Sequence, residues 1–339
     1  MKIKTLIAAA LVAATTLLVQ SSAHAQEREE TPDTQLSGFV DASYFENIAD
    51  RGGEFGLDQV ELDIEHRASR KTMLRADLEW VKDGEDYLAQ VEQAYMRYDC
   101  GDDWSFTFGR FNAPIGFELL DPNEMYQYSH SLVFDYGVPT NLTGLMLGKS
   151  LDEHFDVVAY GVNGWEQNAE SNRVQTFGGR LGYSGEISSA GFSLISGKEG
   201  GGSDPEFKRT VLDIDMGCSP EAWVFGAELN HGHVELMDGS TADWLAALLM
   251  AHRDFNDRVG FTVRYDYFDD QDAWVFGPAE GQAQKRQAIT LAPTFVLDEG
   301  LGALIEFRVD RSDRNAFVDR DGQPSKSSVS FAAEMTYAF

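Results

Sequence analysis

Apolar and polar side chains alternate one by one through stretch after stretch of this 339-residue chain, and that period of two limits its fold more than any other feature. In "VELDIE", Val60, Leu62 and Ile64 alternate with Glu61, Asp63 and Glu65. In "LRADLEW", Leu74, Ala76, Leu78 and Trp80 alternate with Arg75, Asp77 and Glu79. "VGFTVRYDYF" and "LGALIEFRVD" repeat the pattern with Arg264, Asp266, Glu306 and Arg308 on the polar side. The closing "SVSFAAEMTYAF" sets Val329, Phe331, Ala333, Met335, Tyr337 and Phe339 on one face, opposite Ser328, Ser330, Ala332, Glu334 and Thr336. Successive side chains of a strand point to opposite faces, so these are strands with one apolar and one polar face.

Sixteen such strands can be counted, at about 35–46, 54–67, 72–82, 87–98, 103–112, 140–148, 154–164, 174–184, 190–198, 208–217, 221–233, 242–253, 257–268, 285–296, 301–311 and 327–339. Connections after even-numbered strands are short: "ASRK", "DCGD", "KSLDE", "GEISS", "CSP", "DFN", "LDEG". Those after odd-numbered strands are usually longer, above all 113–139. An even strand number with short turns at one end and long loops at the other predicts an all-β fold, a transmembrane antiparallel up-and-down β-barrel of about 16 strands. Counts of 14 and 18 are its neighbours.

A soluble sandwich alternates too, but charges of both signs in mid-strand suit a wet lumen better than a solvated outer face. The aromatics point the same way. Tyr44, Trp80, Trp165, Trp244 and Tyr267 fall at one set of strand ends, and Tyr98, Trp104, Trp223 and Tyr337 at the other. Two aromatic girdles around an apolar band mark an outer-membrane barrel, and only a closed sheet leaves no backbone group unpaired in hydrocarbon. One segment resists. "WLAALLMA" (244–251) is apolar on both faces and reads either as a short buried helix or as a strand under an ordered loop; a strand preserves the parity.

The two ends of the chain agree with export to that membrane. Lys2 and Lys4, an apolar run from Leu6 to Val19 and Ala-x-Ala at Ala23 to Ala25 predict a signal peptide over residues 1–25, followed by a short segment 26–34 and the barrel over 35–339. Phe339 on the lipid face of the final strand reads as the signal for the barrel-assembly machinery, or as an interfacial anchor, and that strand must pair with "LSGFVDASYF". The balance of 56 acids against 27 bases argues against nucleic acid, whose phosphates demand a basic face. Cys100 and Cys218 are too few for a disulfide-stapled secreted domain and fall in different turns on one rim.

The segment 113–139 is the third outer loop. Leu119, Leu120, Met125, Tyr126, Leu132, Val133 and Phe134 make it too apolar for a solvated tail, so it is expected to fold inward and narrow the lumen. It carries the acids Glu118, Asp121, Glu124 and Asp135, while the wall offers Arg75, Arg97, Arg110, Arg180, Arg264 and Arg308. Acids on one side and arginines on the other would set a transverse field that orients polar solutes. Alternatively the arginines pair with wall acids such as Asp77, Glu79, Asp266 and Glu306.

"FGRFNAPIGFE", "VPTNLTGLMLG" and "YGVNGW", within residues 108–165, resemble the OmpL-like β-barrel porin family of Gram-negative outer membranes. The rest of the chain agrees in length and pattern, without quotable motifs. The resemblance implies a 16-strand pore for small hydrophilic solutes and no catalytic residues. The pattern is also close to phosphate-selective porins, which leaves the solute class open.

His231, His233 and Glu235 share one strand face and could chelate a metal, but they continue the lipid face of Trp223, Phe225 and Leu229, and further ligands are not evident. His66, His252 and Ser131 have no spacing suited to a hydrolase. The expectation is therefore a passive diffusion porin without metal or cofactor, with outer-membrane lipid and lipopolysaccharide as surroundings and a homotrimer as a candidate assembly. Its rivals are a structural or adhesive barrel with a closed lumen and an outer-membrane hydrolase.

Overall fold

The computed structural model describes residues 32–49, 52–201, 204–277 and 282–339; the signal-peptide reading falls outside them. Sixteen strands close a barrel: β1 (Asp33–Asn47), β2 (Gly52–Arg67), β3 (Thr72–Asp83), β4 (Asp86–Gly101), β5 (Trp104–Asn112), β6 (Asn141–Ser150), β7 (Phe155–Val162), β8 (Thr176–Ser184), β9 (Ser188–Gly201), β10 (Asp204–Cys218), β11 (Trp223–Leu236), β12 (Thr241–Asp254), β13 (Val259–Asp270), β14 (Gln284–Asp298), β15 (Leu301–Ser312) and β18 (Ser327–Ala338). A two-residue hairpin, β16 (Phe317–Val318) and β17 (Pro324–Ser325), decorates the last long connection.

Every barrel strand pairs antiparallel with its chain neighbours, and β18 returns to β1 with Phe39 opposite Ala338 and Asn47 opposite Ser330. The expected pairing of the last strand with the first is therefore what closes the sheet. Closure removes both edges, the condition for crossing a bilayer with strands.

The alternation reads directly onto two faces. In β13, Val263 and Tyr265 are exposed on the outside while Thr262, Arg264 and Asp266 are fully buried inside. In β18, Met335 and Tyr337 are exposed and Ala332 and Glu334 are buried. The girdle at the short-turn rim, with Tyr98, Trp104, Trp223 and Tyr337, is exposed as expected, and so is Trp80 at the other rim.

Two tryptophans do not belong to the girdle. Trp244 is 1 % exposed and faces inward, donating from Nε1 to Asn230 Oδ1 at 2.9 Å. Its indole lies over Gly232, where a Cβ would come within 1.9 Å of the ring. Trp165 lies in the connection after β7, with the Arg209 guanidinium 4.3 Å from its ring centroid. Position near a strand end points Trp244 to the rim, but its contact with Asn230 and its packing under the long connection place it inside.

The ambiguous "WLAALLMA" segment is strand, within β12, and its inner face is covered. Ala242, Trp244, Ala246, Leu248 and Met250 join a buried apolar cluster with Leu132, Val133 and Val138 of the long connection. That connection is not structureless: a 3₁₀ turn spans Pro122–Glu124, and a short helix α1 spans Leu132–Gly137, started by Ser131 Oγ accepting from Phe134 N at 3.1 Å.

Candidate functional site: the lumen wall and the β5–β6 connection

Residues 113–140 leave the long-loop end of β5 and hydrogen-bond to inward side chains of distant strands at mid-height. Glu228 of β11 accepts from Phe117 N at 2.9 Å, and Glu306 of β15 accepts from Ser129 N at 3.1 Å. Thr262 of β13 donates to Tyr126 O at 3.0 Å. The Gly116–Phe117 turn fits closely: Gly116 sits at φ +90°, where only glycine is at ease, and the Phe117 ring lies where a Cβ on Gly226 would stand.

Two arginines hold the far part of the segment. Arg264 Nη1 lies 2.8 Å from Glu118 Oε1 and 2.5 Å from Ser129 O, and Nη2 donates to His130 O at 2.8 Å. Arg308 Nη1 donates to Ser129 Oγ at 2.9 Å and to His130 O at 2.7 Å. Planar guanidinium forks suit this multiple capture of carbonyl and carboxylate oxygens. Burial pushes the Glu118 carboxyl up, but Arg264, His130 and the bonds from Ser131 outweigh it and hold it below the ordinary carboxylate range.

The other wall arginines are occupied by acids or polar groups of the wall and its loops. Arg75 bonds Asp77 at 2.8 Å and lies 3.9 Å from Asp63; Arg180 bonds Asp215 through both Nη atoms, at 2.5 and 2.8 Å. Arg264 and Arg308 also bond Asp266 and Asp310 on their own strands, at 3.1 and 3.0 Å. Arg110 donates to Glu92 O at 2.7 Å and to Asn168 Oδ1 at 2.6 Å. Arg97 is half-buried on β4. Of the anticipated wall acids, Asp77 and Asp266 pair with arginine, whereas Glu79 accepts from the Gln59 and Gln90 amides and Glu306 from the Ser129 backbone.

Among the bonds between described residues, Glu118 is the one loop acid joined to a wall arginine. Asp121 lies instead beside Glu61 of β2 and Glu92 of β4. Burial first, then Glu92, Glu124, Asp63 and Asp77, push its carboxyl well above the usual range. For Asp135, burial raises the carboxyl against the pull of His130 and Arg308. Burial likewise raises Glu124, with Arg75 opposing.

Glu61 and Glu92 escaped the sequence reading as site residues. Glu61 stood on the polar face of "VELDIE", but Glu92 was hidden by a β-bulge. Asp77 faces Gln93 while Leu78 faces Val91, so Glu92 is the extra residue and both Glu92 and Gln93 turn inward. A bulge re-aims a side chain in this way and interrupts the alternation that would have revealed it. His231 and His233 lie on the outer face, both drawn to Asp243, at 3.7 and 2.7 Å.

Loops at the long-loop end cover the apolar side of the lumen. Asp270 accepts from Trp274 N, Val275 N and Phe276 N at 2.8–3.0 Å, which seats Phe276 against Tyr136 and Phe268 and under the Arg286 guanidinium, 3.9 Å away. At the short-turn end a cavity of about 840 Å³ opens between Met125, Tyr126, His252, Asp254, Glu334 and Thr336.

The fold is shared with outer-membrane proteins of very different sequence. OmpT of Vibrio cholerae, an outer-membrane protein, superposes with a TM-score of 0.66 at 9 % identity, covering 92 % of this chain and 99 % of that one. An anion-selective porin from Comamonas acidovorans gives 0.68 at 14 %, covering 91 % and 100 %. The outer-membrane channel DcaP of Acinetobacter baumannii gives 0.66 at 12 %, covering 91 % and 98 %. No curated protein matches the sequence. The family described as "Putative beta-barrel porin-2, OmpL-like" matches residues 34–339. With nearly the whole barrel inside that match, the chain belongs to the OmpL-like β-barrel porin-2 family, as a porin of the outer membrane.

Proposed function

We propose that this porin is a non-enzymatic, passive diffusion channel for small hydrophilic or charged solutes, narrowed by residues 113–139 folding into the lumen. The observation that carries the reading is the grip of Arg264, Arg308 and Glu228, three inward side chains at mid-height, on residues 117–130 of the connection. Export through a signal peptide over residues 1–25 belongs to the same reading, as do assembly signalled by Phe339 and a lipopolysaccharide environment. A homotrimer is the proposed assembly, since a trimer form of V. cholerae OmpT has this fold.

The pore is expected to prefer cations weakly. Acids outnumber bases 56 to 27, and the wall arginines are largely occupied by acids, so carboxylates dominate the field. The reversal potential of purified protein in a planar bilayer under a KCl gradient tests both points. Deleting residues 118–133 is expected to raise conductance with the barrel still folded; unchanged conductance would place the segment outside the permeation path. A second reading, a lumen closed by its own loops, is favoured by the apolar packing of α1, Trp244, Leu248 and Phe268 inside the barrel. Zero conductance in the same bilayer would select it.

A further inference from the structure

Carboxylates of three separate elements converge on one side of the lumen. Glu61 comes from β2, Glu92 from the β4 bulge and Asp121 from the long connection, and one oxygen of each lies within 4.8 Å of the others. Glu61 and Glu92 are 1 % and 2 % exposed. Glu61 Oε1, Glu92 Oε2 and Asp121 Oδ1 are all shielded from solvent and have no hydrogen-bond partner among the described residues. Asp121 stands at the start of the Pro122–Glu124 turn yet spends no side-chain oxygen on capping it.

The neighbouring acids are treated differently. Asp77 is held by Arg75 and by the Gln93 amide, and Asp63 lies 3.9 Å from Arg75. Among the described residues, no lysine, arginine or histidine forms an ion pair with Glu61, Glu92 or Asp121. Three buried carboxylates without a cation are costly to hold together, and unpaired buried oxygens add to that cost.

We propose that Glu61, Glu92 and Asp121 bind a divalent cation of the calcium class and that this cation ties the β5–β6 connection to the β2–β4 wall. Calcium takes six to eight oxygens at about 2.3–2.6 Å, so two of its ligands lie at most about 5 Å apart, the spacing these oxygens have. Waters complete the shell, as calcium allows and as the lumen can supply. Magnesium demands a tighter, near-octahedral set and dehydrates reluctantly, which fits carboxylates supplied by three separate elements at this spacing less well. The cation would complement the arginine grip: Arg264 and Arg308 fix residues 118–130 to β13 and β15, and the cation fixes Asp121 to β2 and β4.

The site does not depend on conduction, and the test keeps the two apart. Purified protein folded in detergent, stripped with a chelator and returned to physiological salt, is titrated with calcium chloride by calorimetry. One saturable site per chain is expected. E61Q, E92Q and D121N each remove a charge while keeping shape, and each is expected to weaken binding on the order of tenfold or more. E153Q and E299Q, exposed and elsewhere on the barrel, should bind as wild type does.

Calcium should also slow protease cleavage between residues 113 and 139 in wild type but not in D121N, with circular dichroism confirming a folded barrel in both. Absence of saturable binding in wild type, equal binding by D121N, or magnesium bound as tightly as calcium would overturn the site. Binding that leaves cleavage unchanged would overturn the tether. A protein that conducts ions but binds no calcium would refute this proposal and leave the channel reading intact.

Discussion

Glu118 and Arg264 stand 146 residues apart in the chain and 2.8 Å apart in space, with side chains only 3 % and 0 % exposed. Removing one partner of a buried pair leaves the other charge uncompensated, at a cost of about 3–5 kcal/mol. E118A is therefore expected to free residues 118–131, read as faster amide hydrogen exchange there, and to lower the unfolding temperature. The double variant E118A/R264M should cost less than the two single changes summed, because the Glu118–Arg264 pair is lost only once. The loss of the Arg264 bonds to Asp266, Ser129 and His130 enters R264M and the double variant alike. Strict additivity of the two single changes would mean that the pair is not coupled.

The two loop acids should respond to pH in opposite senses. Glu118 is held below its ordinary 4.5, so its contribution is complete above about pH 4.5 and is lost as pH falls through the depressed value in the folded protein. Asp121 is raised above its ordinary 3.8, so the folded state binds the extra proton. Its anchoring is strongest near and below pH 3.8 and declines as pH rises through the raised value. Hydrogen exchange of segment 113–139 across pH, in wild type and D121N, should show the second trend only in wild type with chelator present, since a bound cation replaces the proton.

Gly226 leaves room for Phe117, and a Cβ there would lie 2.1 Å from the ring's Cζ. G226V is expected to push the ring out and destabilise the connection by about 1–3 kcal/mol, the usual cost of overpacking. F117A/G226V should relieve the clash. If G226V alone leaves hydrogen exchange of residues 115–118 unchanged, Phe117 does not pack on β11.

Cys100 lies one residue before the end of β4 and Cys218 ends β10, both at the short-turn rim, and both are free thiols. Six steps of the sixteen-strand order separate them. At roughly 6 Å of rim per tilted strand the barrel is about 30 Å across, which sets the two Cα atoms nearly that far apart. A disulfide needs Cα atoms within about 7 Å. Mass spectrometry of unreduced protein is expected to find no Cys100–Cys218 bridge, and finding one would contradict the strand order.

Strand number, order and faces were legible because they are local. A period of two needs only neighbouring residues, and the alternation of short and long connections fixes parity, so the sixteen strands fall within a few residues of their expected places. Closure through β1 and β18 followed from having no edge to leave in lipid. Local pattern failed where it carried no phase. Trp244 sits among residues apolar on both faces, so only its contact with Asn230 and the cover of the α1 segment reveal which side it takes. Glu92 lies on a bulge, where one extra residue resets the alternation. The partners of the long connection were beyond reach for a different reason. The sequence supplied its acids and the wall's arginines, but Glu118 meeting Arg264 and Asp121 meeting Glu61 and Glu92 are consequences of barrel closure, which brings distant strands around one lumen.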